Sequence, residues 1–228
     1  MRIGVIVCVA AMALGVQPTR VRAQEGVPTV AIMDLSSFMM GEGGASVHLG
    51  KAVSAMLATE FGGRDGMRTI QRAELKALIR ERHLQPSRRI DEADAIEVGR
   101  VLGVQYVLHG QVTSIVDNLR MDIRAVDVET SEIVSVMKKS DRTTELFSVG
   151  VELADEFDES LDLTAPSHRS EGEPIPVAAT IAFSRGVDHE DRGRVGDAIE
   201  QYERALEIHP GHRDARRAPK RLRGERPS

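Results

Sequence analysis

The chain has one cysteine among its 228 residues, and that scarcity excludes a disulfide framework and leaves little room for a thiol nucleophile. Cys8 follows Val7 early in an apolar stretch, away from the small-residue site where a lipid-acceptor cysteine would stand, so lipidation is not expected. Long apolar runs are missing too. A membrane-spanning helix needs ~20 apolar residues, and nothing beyond Val16 approaches that. Positive charge is in deficit: the formal net charge is -5, which makes the chain a poor general binder of nucleic acid. Basic residues concentrate only after Pro210, where Arg213, Arg216, Arg217, Lys220, Arg221, Arg223 and Arg226 face Asp214 and Glu225. Such a run reads as a solvated helix end or a frayed terminus, with contact to an anionic surface as the sharper alternative.

Catalytic patterns are lacking as well. Gly41, Gly43 and Gly44 sit between a strand and a helix, where phosphate loops occur. A dinucleotide fingerprint would need glycine at Ser46, the spacing from Gly44 to Gly50 is wrong for a Walker loop, and Ala52 stands where Ser or Thr should follow Lys51. A strand-to-helix loop is the expectation. Histidines at 48, 83, 109, 168, 189, 209 and 212 form no metal-binding pair on one helical face. His109 lies in a strand, where a lone histidine is expected to be a hydrogen-bonded sheet residue. No Ser occupies a G-x-S-x-G elbow. The carboxylates Asp155, Glu156, Asp158 and Glu159 read as the solvated face of a helix rather than a cation site. No catalytic residue, metal ligand or cofactor is expected.

What is present begins with an address. Arg2, the apolar stretch Ile3 to Val16 and the site Val21-Arg22-Ala23 predict a secretory signal peptide, residues 1–23, cut before Gln24. Losing Arg2, Arg20 and Arg22 would take the net charge from -5 to -8. About 200 residues remain, enough for one medium domain and a small appendage.

The periodicity then alternates between strand and helix. Val27–Leu35 is a short β-rich run. Val47, Leu49, Val53, Met56, Leu57 and Phe61 recur at helical steps, and Gly62-Gly63 stops them. Met67–Ile70 predicts a second short strand, and "AELKALIRERHL" a helix with Leu75, Leu78, Ile79 and Leu84 inward. In "DEADAIEVGRVLG", Asp91 is the predicted cap and Gly103 the stop. "VQYVLHGQVTSIV" follows as a central strand whose Val107 should face one helical layer while Tyr106 and Leu108 face the other. "LRMDIRAVDVE" and "EIVSVMKKS" alternate as an antiparallel meander with one wet face. A helix over about Glu145–Leu163 closes an α/β domain spanning residues 24–163.

"TAPSHRSEGEPIP" cannot bury a core and predicts a linker, residues 164–175. Beyond it the period becomes helical, predicting a helical pair with a basic tail over residues 176–228.

The order of "VAIMDLSS", "LGKAVSAMLATEF", "MRTIQRAELKALIRERHL", "AIEVGRVLGVQYVLHGQV" and "IRAVDVETSEIV" resembles the curli production assembly/transport component (CsgG-like) family, from about Val27 to Leu163. The most specific parts are the arginine-leading helix near Arg72, the "GRVLGVQYVLHG" segment and the "VDVETSEIV" turn. The resemblance implies a mixed β-sheet flanked by helices and a place in the periplasm or at the outer membrane. The lipid-acceptor cysteine and long membrane hairpins of the family's best-known member have no counterpart here, so the resemblance rests on the soluble core, and an outer-membrane secretion channel follows only by analogy with the family. The second unit resembles a tetratricopeptide repeat. Gly186, Gly193, Ala198, Tyr202, Ala205 and Pro210 stand where that motif places its small, aromatic and helix-ending residues.

These readings converge on a non-enzymatic envelope protein that acts through protein-protein interaction, with other envelope proteins or a second copy as partner and peripheral contact with the outer membrane. The alternative is a soluble periplasmic ligand-binding or sensory module using the region of His109 and the Gly41–Gly44 loop. One repeat cannot bury its own apolar face. Ile181, Val187, Ile199, Tyr202, Leu206 and Ile208 are therefore expected to be covered by the α/β domain, the basic tail or a partner, the partner being the natural cover.

Overall fold

The computed structural model describes residues 27–40, 49–64, 66–81, 91–161, 163 and 175–224. The expected signal peptide and the Gly41–Gly44 loop lie outside these residues, as does the linker apart from Ile175. The architecture is mixed α/β, six strands and seven helices among the described residues.

Strands β1 (Thr29–Ile32), β3 (Arg68–Thr69), β4 (Tyr106–Ile115), β5 (Asn118–Asp127) and β6 (Ile133–Arg142) lie in the order β3-β1-β4-β5-β6. The first two contacts are parallel and the last two antiparallel. β2 (Ser36–Met40) was not legible in the sequence, where "SSFMM" shows no alternation. It continues β1 along the same edge of β4: β1 pairs Tyr106 to Leu108, and β2 pairs Gln111 to Ile115.

The break between β1 and β2 is held by α1 (Leu49–Gly62). Ser54 Oγ accepts from Leu35 N at 2.9 Å and lies 3.0 Å from the Met33 carbonyl and 2.8 Å from that of Gly50. A side chain at Gly50 would overlap the Leu35 carbonyl, so glycine there lets α1 approach the backbone.

α2 (Arg72–Glu81) and α3 (Glu92–Leu102) cover one face of the sheet. The α3 boundaries follow the sequence signals: Asp91 accepts from Asp94 N at 2.9 Å, and Gly103 ends the helix at φ 65°. Val107, fully buried, joins Ala31, Met33, Leu75, Ala95 and Val98 in this layer. Leu108 and Tyr106 belong to the opposite one, with α1 and α4 (Leu146–Ser160). The expected division of β4 is thus what the structure shows. The meander is also as expected. In β5, Leu119, Met121, Ile123 and Ala125 point inward, and a register shift between Ala125 and Val126 accounts for the imperfect alternation at that end.

The C-terminal unit has three helices where the sequence predicted a pair with a tail: α5 (Val177–Asp191), α6 (Val195–Ile208) and α7 (Arg213–Leu222). The basic tail folds because Ala215 and Ala218 supply a buried small-residue stripe while its Arg and Lys side chains turn outward. α5 packs on α1. Phe183, Val187, Ala198, Tyr202 and Ala215 share one apolar cluster with the sheet's α1/α4 layer. Cover for much of the unit's apolar face therefore comes from within the chain, although Ile208 stays 39 % exposed.

No helix among the described residues is long and apolar enough to cross a membrane.

Candidate functional site

The six residues singled out in the C-terminal unit fall in one helix seam and two turns. Gly186 on α5 and Ala198, Tyr202 and Ala205 on α6 meet in the buried seam between these helices. Gly193, at φ 73°, occupies the α5–α6 turn, and Pro210 the α6–α7 turn, where its carbonyl accepts from Arg216. The Tyr202 ring lies against Gly186 and 5.5 Å from Phe183, and its hydroxyl donates to Glu190 Oε2 at 2.8 Å. Arg221 of α7 clamps the same carboxylate at 2.6 and 2.9 Å. Burial, and then the charge of Glu190, push the Tyr202 hydroxyl far above its ordinary pKa, so it remains a donor.

A chain of charges ties this unit to the α/β domain. Asp34, just past β1, receives Arg72 and Lys76 of α2. Arg72 reaches on to Asp191 of α5 at 2.6 Å, and Lys51 of α1 bonds Asp188 and Asp191 at 2.9 and 3.1 Å. Arg192 closes on Asp188. Burial alone would raise the Asp34 carboxyl, but the charges of Arg72 and Lys76 outweigh it and hold it at about 2. Alternation of sign over four elements distant in sequence leaves no local pattern, and the only trace of this network in the sequence was the arginine that leads α2.

The carboxylates of α4 correct an expectation. Asp155 and Asp158 do not form a solvated face. Both pair with Arg64, the first at 2.8 Å, and Arg64 also bonds Glu60 at 3.1 Å and the Val151 carbonyl at 3.3 Å. Arg64 and Asp158 are buried, and burial pushes the Asp158 carboxyl up against the pull of Arg64. Helical periodicity had put these acids opposite Leu153 and Phe157, but it could not show that a loop arginine folds over them. Glu156 faces Lys139 of β6 at 3.5 Å.

Among the described residues, polar side chains line at least two cavities. One of about 550 Å³ lies on the sheet at Ser36, Asp91, His109, Gln111, Asp122 and Lys138. His109 is buried there, in register with Arg124. The other, about 380 Å³, lies between the two units. It is lined by Ala55 and Thr59 of α1, Thr69 to Ala73 at the start of α2, and Phe183, Glu190, Tyr202, Asp214, Arg217, Ala218 and Arg221 from the C-terminal helices.

Residues 19–120 match the family model described as curli production assembly/transport component CsgG. The match takes in β1 to α3, all of β4 and the start of β5, and ends before β6, α4 and the C-terminal helices. No curated protein matches the chain. Among solved structures, the chain is similar to the C-terminal domain of LpoB from Salmonella enterica, at 16 % identity and TM-score 0.41, covering 54 % of this chain and 87 % of that one. The PelC dodecamer from Paraburkholderia phytofirmans gives 17 % identity, TM-score 0.35, and coverage of 61 % and 90 %. Lipoprotein GNA1162 from Neisseria meningitidis gives 12 %, 0.35, and coverage of 50 % and 79 %.

Proposed function

We propose that the chain is a non-enzymatic component of the bacterial envelope that works in assembly or transport through protein-protein interaction, exported by its first 23 residues and acting in the periplasm or against the outer membrane. The observation that carries this reading is the CsgG family match over residues 19–120, which falls on the parallel half of the sheet and the helices around it. The exposed strand β6 adds a surface suited to it: Ile133, Val134 and Val136 are 42 %, 36 % and 47 % exposed on a sheet edge that presents unpaired backbone groups. The C-terminal helices are a tetratricopeptide-like interaction unit in this reading, with Gly186, Gly193, Ala198, Tyr202, Ala205 and Pro210 setting its helix packing. Other envelope proteins or a second copy of the chain are its partners.

Cell fractionation followed by native mass measurement tests the proposal. A processed chain beginning at Gln24, found in the envelope fraction and associated with itself or another envelope protein, is the expected result. A cytoplasmic chain retaining Met1, or an envelope chain that stays monomeric and captures nothing, overturns it.

The polar cavity at His109 favours a second reading, a soluble periplasmic ligand-binding or sensory module. Under that reading the native mass is that of a monomer, and a small molecule copurifies with it.

A further inference from the structure

The seam between the C-terminal helices and the α/β domain is built differently from the seams within the C-terminal unit. Inside the unit the packing is close: the Tyr202 ring fills the space beside Gly186, His212 lies 4.8 Å from Phe183, and Arg221 of α7 holds Glu190 of α5. α6 packs on α5 and α7 on α6, so the three helices form one body. Against the domain the main helix contact is α5 on α1, and it is incomplete. Ala55 and Ala58 of α1 and Phe183 and Val187 of α5 line a hollow of about 380 Å³ instead of filling it. Such a void forfeits the dispersion contacts that close packing supplies.

Charge holds this seam where packing does not. Asp188 and Asp191 stand in the last turn of α5, the end at which the helix dipole disfavours anions, and at three-residue spacing they also repel each other. Their compensating cations come largely from the α/β domain: Lys51 of α1 bonds both acids and Arg72 of α2 bonds Asp191, with Arg192 adding to Asp188 from the end of α5 itself. The end of α5 is therefore electrostatically satisfied only when it is docked. The other end is pinned by backbone. Buried Ile175 donates its N–H to the Thr144 carbonyl at 2.9 Å, just before α4, and Pro176 then leads into α5. These two attachments lie a whole helix apart, about 22 Å for fifteen residues. Between them the polar contacts are lighter: Arg213 of α7 sits over the Phe147 ring at 5.2 Å, and the Thr59 hydroxyl bonds Asp214.

We propose that α5, α6 and α7 form a hinged arm, pivoting at Ile175–Pro176 and closed against α1 and α2 by the ionic clasp of Asp188 and Asp191 on Lys51 and Arg72. Opening draws Phe183 and Val187 away from Ala55 and Ala58, while the arm and the sheet each stay folded. What the opening serves rests on the interaction reading above: the closed clasp covers the facing sides of α1 and α5, and its release makes them available to a partner.

Thiol labelling of the full chain, with Cys8→Ser as background, tests the hinge without any partner. Val187→Cys places a thiol in the seam and Val112→Cys one in the sheet core, both at buried positions. Asp191→Asn and Lys51→Met each take a charge out of the clasp, and either should speed labelling of Val187→Cys by at least about tenfold. Labelling of Val112→Cys, and amide exchange within α6, should stay within about twofold of the chain with an intact clasp. If one clasp variant fails to fold, the other decides. Unchanged labelling of Val187→Cys, equal acceleration at Val112→Cys, or accelerated exchange in α6 would overturn the proposal, the last two because they report unfolding of the chain or of the arm. Native mass measurement on the same clasp variants separates the hinge from its use. Stronger association of the opened chain supports both, whereas opening with no association leaves the hinge standing and removes the interaction reading.

Discussion

The Tyr202 ring occupies the space that a side chain on Gly186 would need: a Cβ there would stand 2.5 Å from Tyr202 Cε1. The ring cannot swing away without leaving Glu190 and Phe183, to which it is joined on its other sides. Gly186→Ala should therefore destabilise the chain by about 1–3 kcal/mol, the usual cost of overpacking. Gly62, with nothing within 4 Å of the corresponding Cβ, is the control, and Gly62→Ala should leave the urea midpoint unchanged or raised. Equal midpoints for the two variants would show that the α5–α6 seam is not closely packed.

Val107 is fully exposed to protein and not at all to water, in the layer between β4 and α3. Val107→Asp places an unpaired carboxylate there, and loss of several kcal/mol is expected, on the order of the ~3 kcal/mol or more that such groups cost. Thermal unfolding measures it. An unchanged melting curve would contradict the placement of β4 at the centre of the sheet.

The sequence showed most of the elements because their signals are local. Asp91 and Gly103 frame α3 within thirteen positions, and the alternation of Leu119, Met121 and Ile123 marks β5 without reference to any partner. What it could not show depends on pairs far apart in the chain. Asp158 looked solvated until Arg64, 94 residues earlier, was folded against it. Lys51 finds Asp188 over 137 residues. α7 read as a tail because its charge outweighs its apolar content, and only the placement of Ala215 and Ala218 against the other helices turns it into a packed element. Between the two units, Asp214 was one acid among many until burial set it apart.

The Asp34 network should appear as acid sensitivity. The carboxyl is held at about 2, below its ordinary 3.8. A depressed acid contributes stability that is present above the unfolded value and lost as pH falls through the folded one, so the loss falls between about pH 4 and 2 and amounts to about 2 kcal/mol. Asp34→Asn should be less stable than the unaltered chain at neutral pH and should lack this part of the acid transition. Denaturant titrations at pH 2, 3, 4 and 7 decide it; parallel profiles would mean that Arg72 and Lys76 do not act on Asp34 in solution.

Asp214 and His212, two residues apart at the start of α7, titrate in opposite senses. Burial pushes the Asp214 carboxyl up to about 6, and burial, followed by the charge of His209, pushes His212 down to about 4. The raised acid contributes stability that is complete below 3.8 and lost as pH rises through about 6. The depressed base contributes stability that is complete above 6.5 and lost as pH falls through about 4. Each shift corresponds to about 3 kcal/mol, and over the shared window of pH 4 to 6.5 the two nearly cancel. Each single variant should therefore expose the other group. Asp214→Asn leaves His212, and its stability should fall on going from pH 6.5 to 4. His212→Asn keeps an acceptor at the helix cap, where His212 Nδ1 now faces Ala215 N at 3.5 Å, and its stability should rise over the same interval. Urea midpoints at half-unit steps across that window measure both slopes, and slopes of the same sign in the two variants would reject the assignment of opposite shifts to this pair.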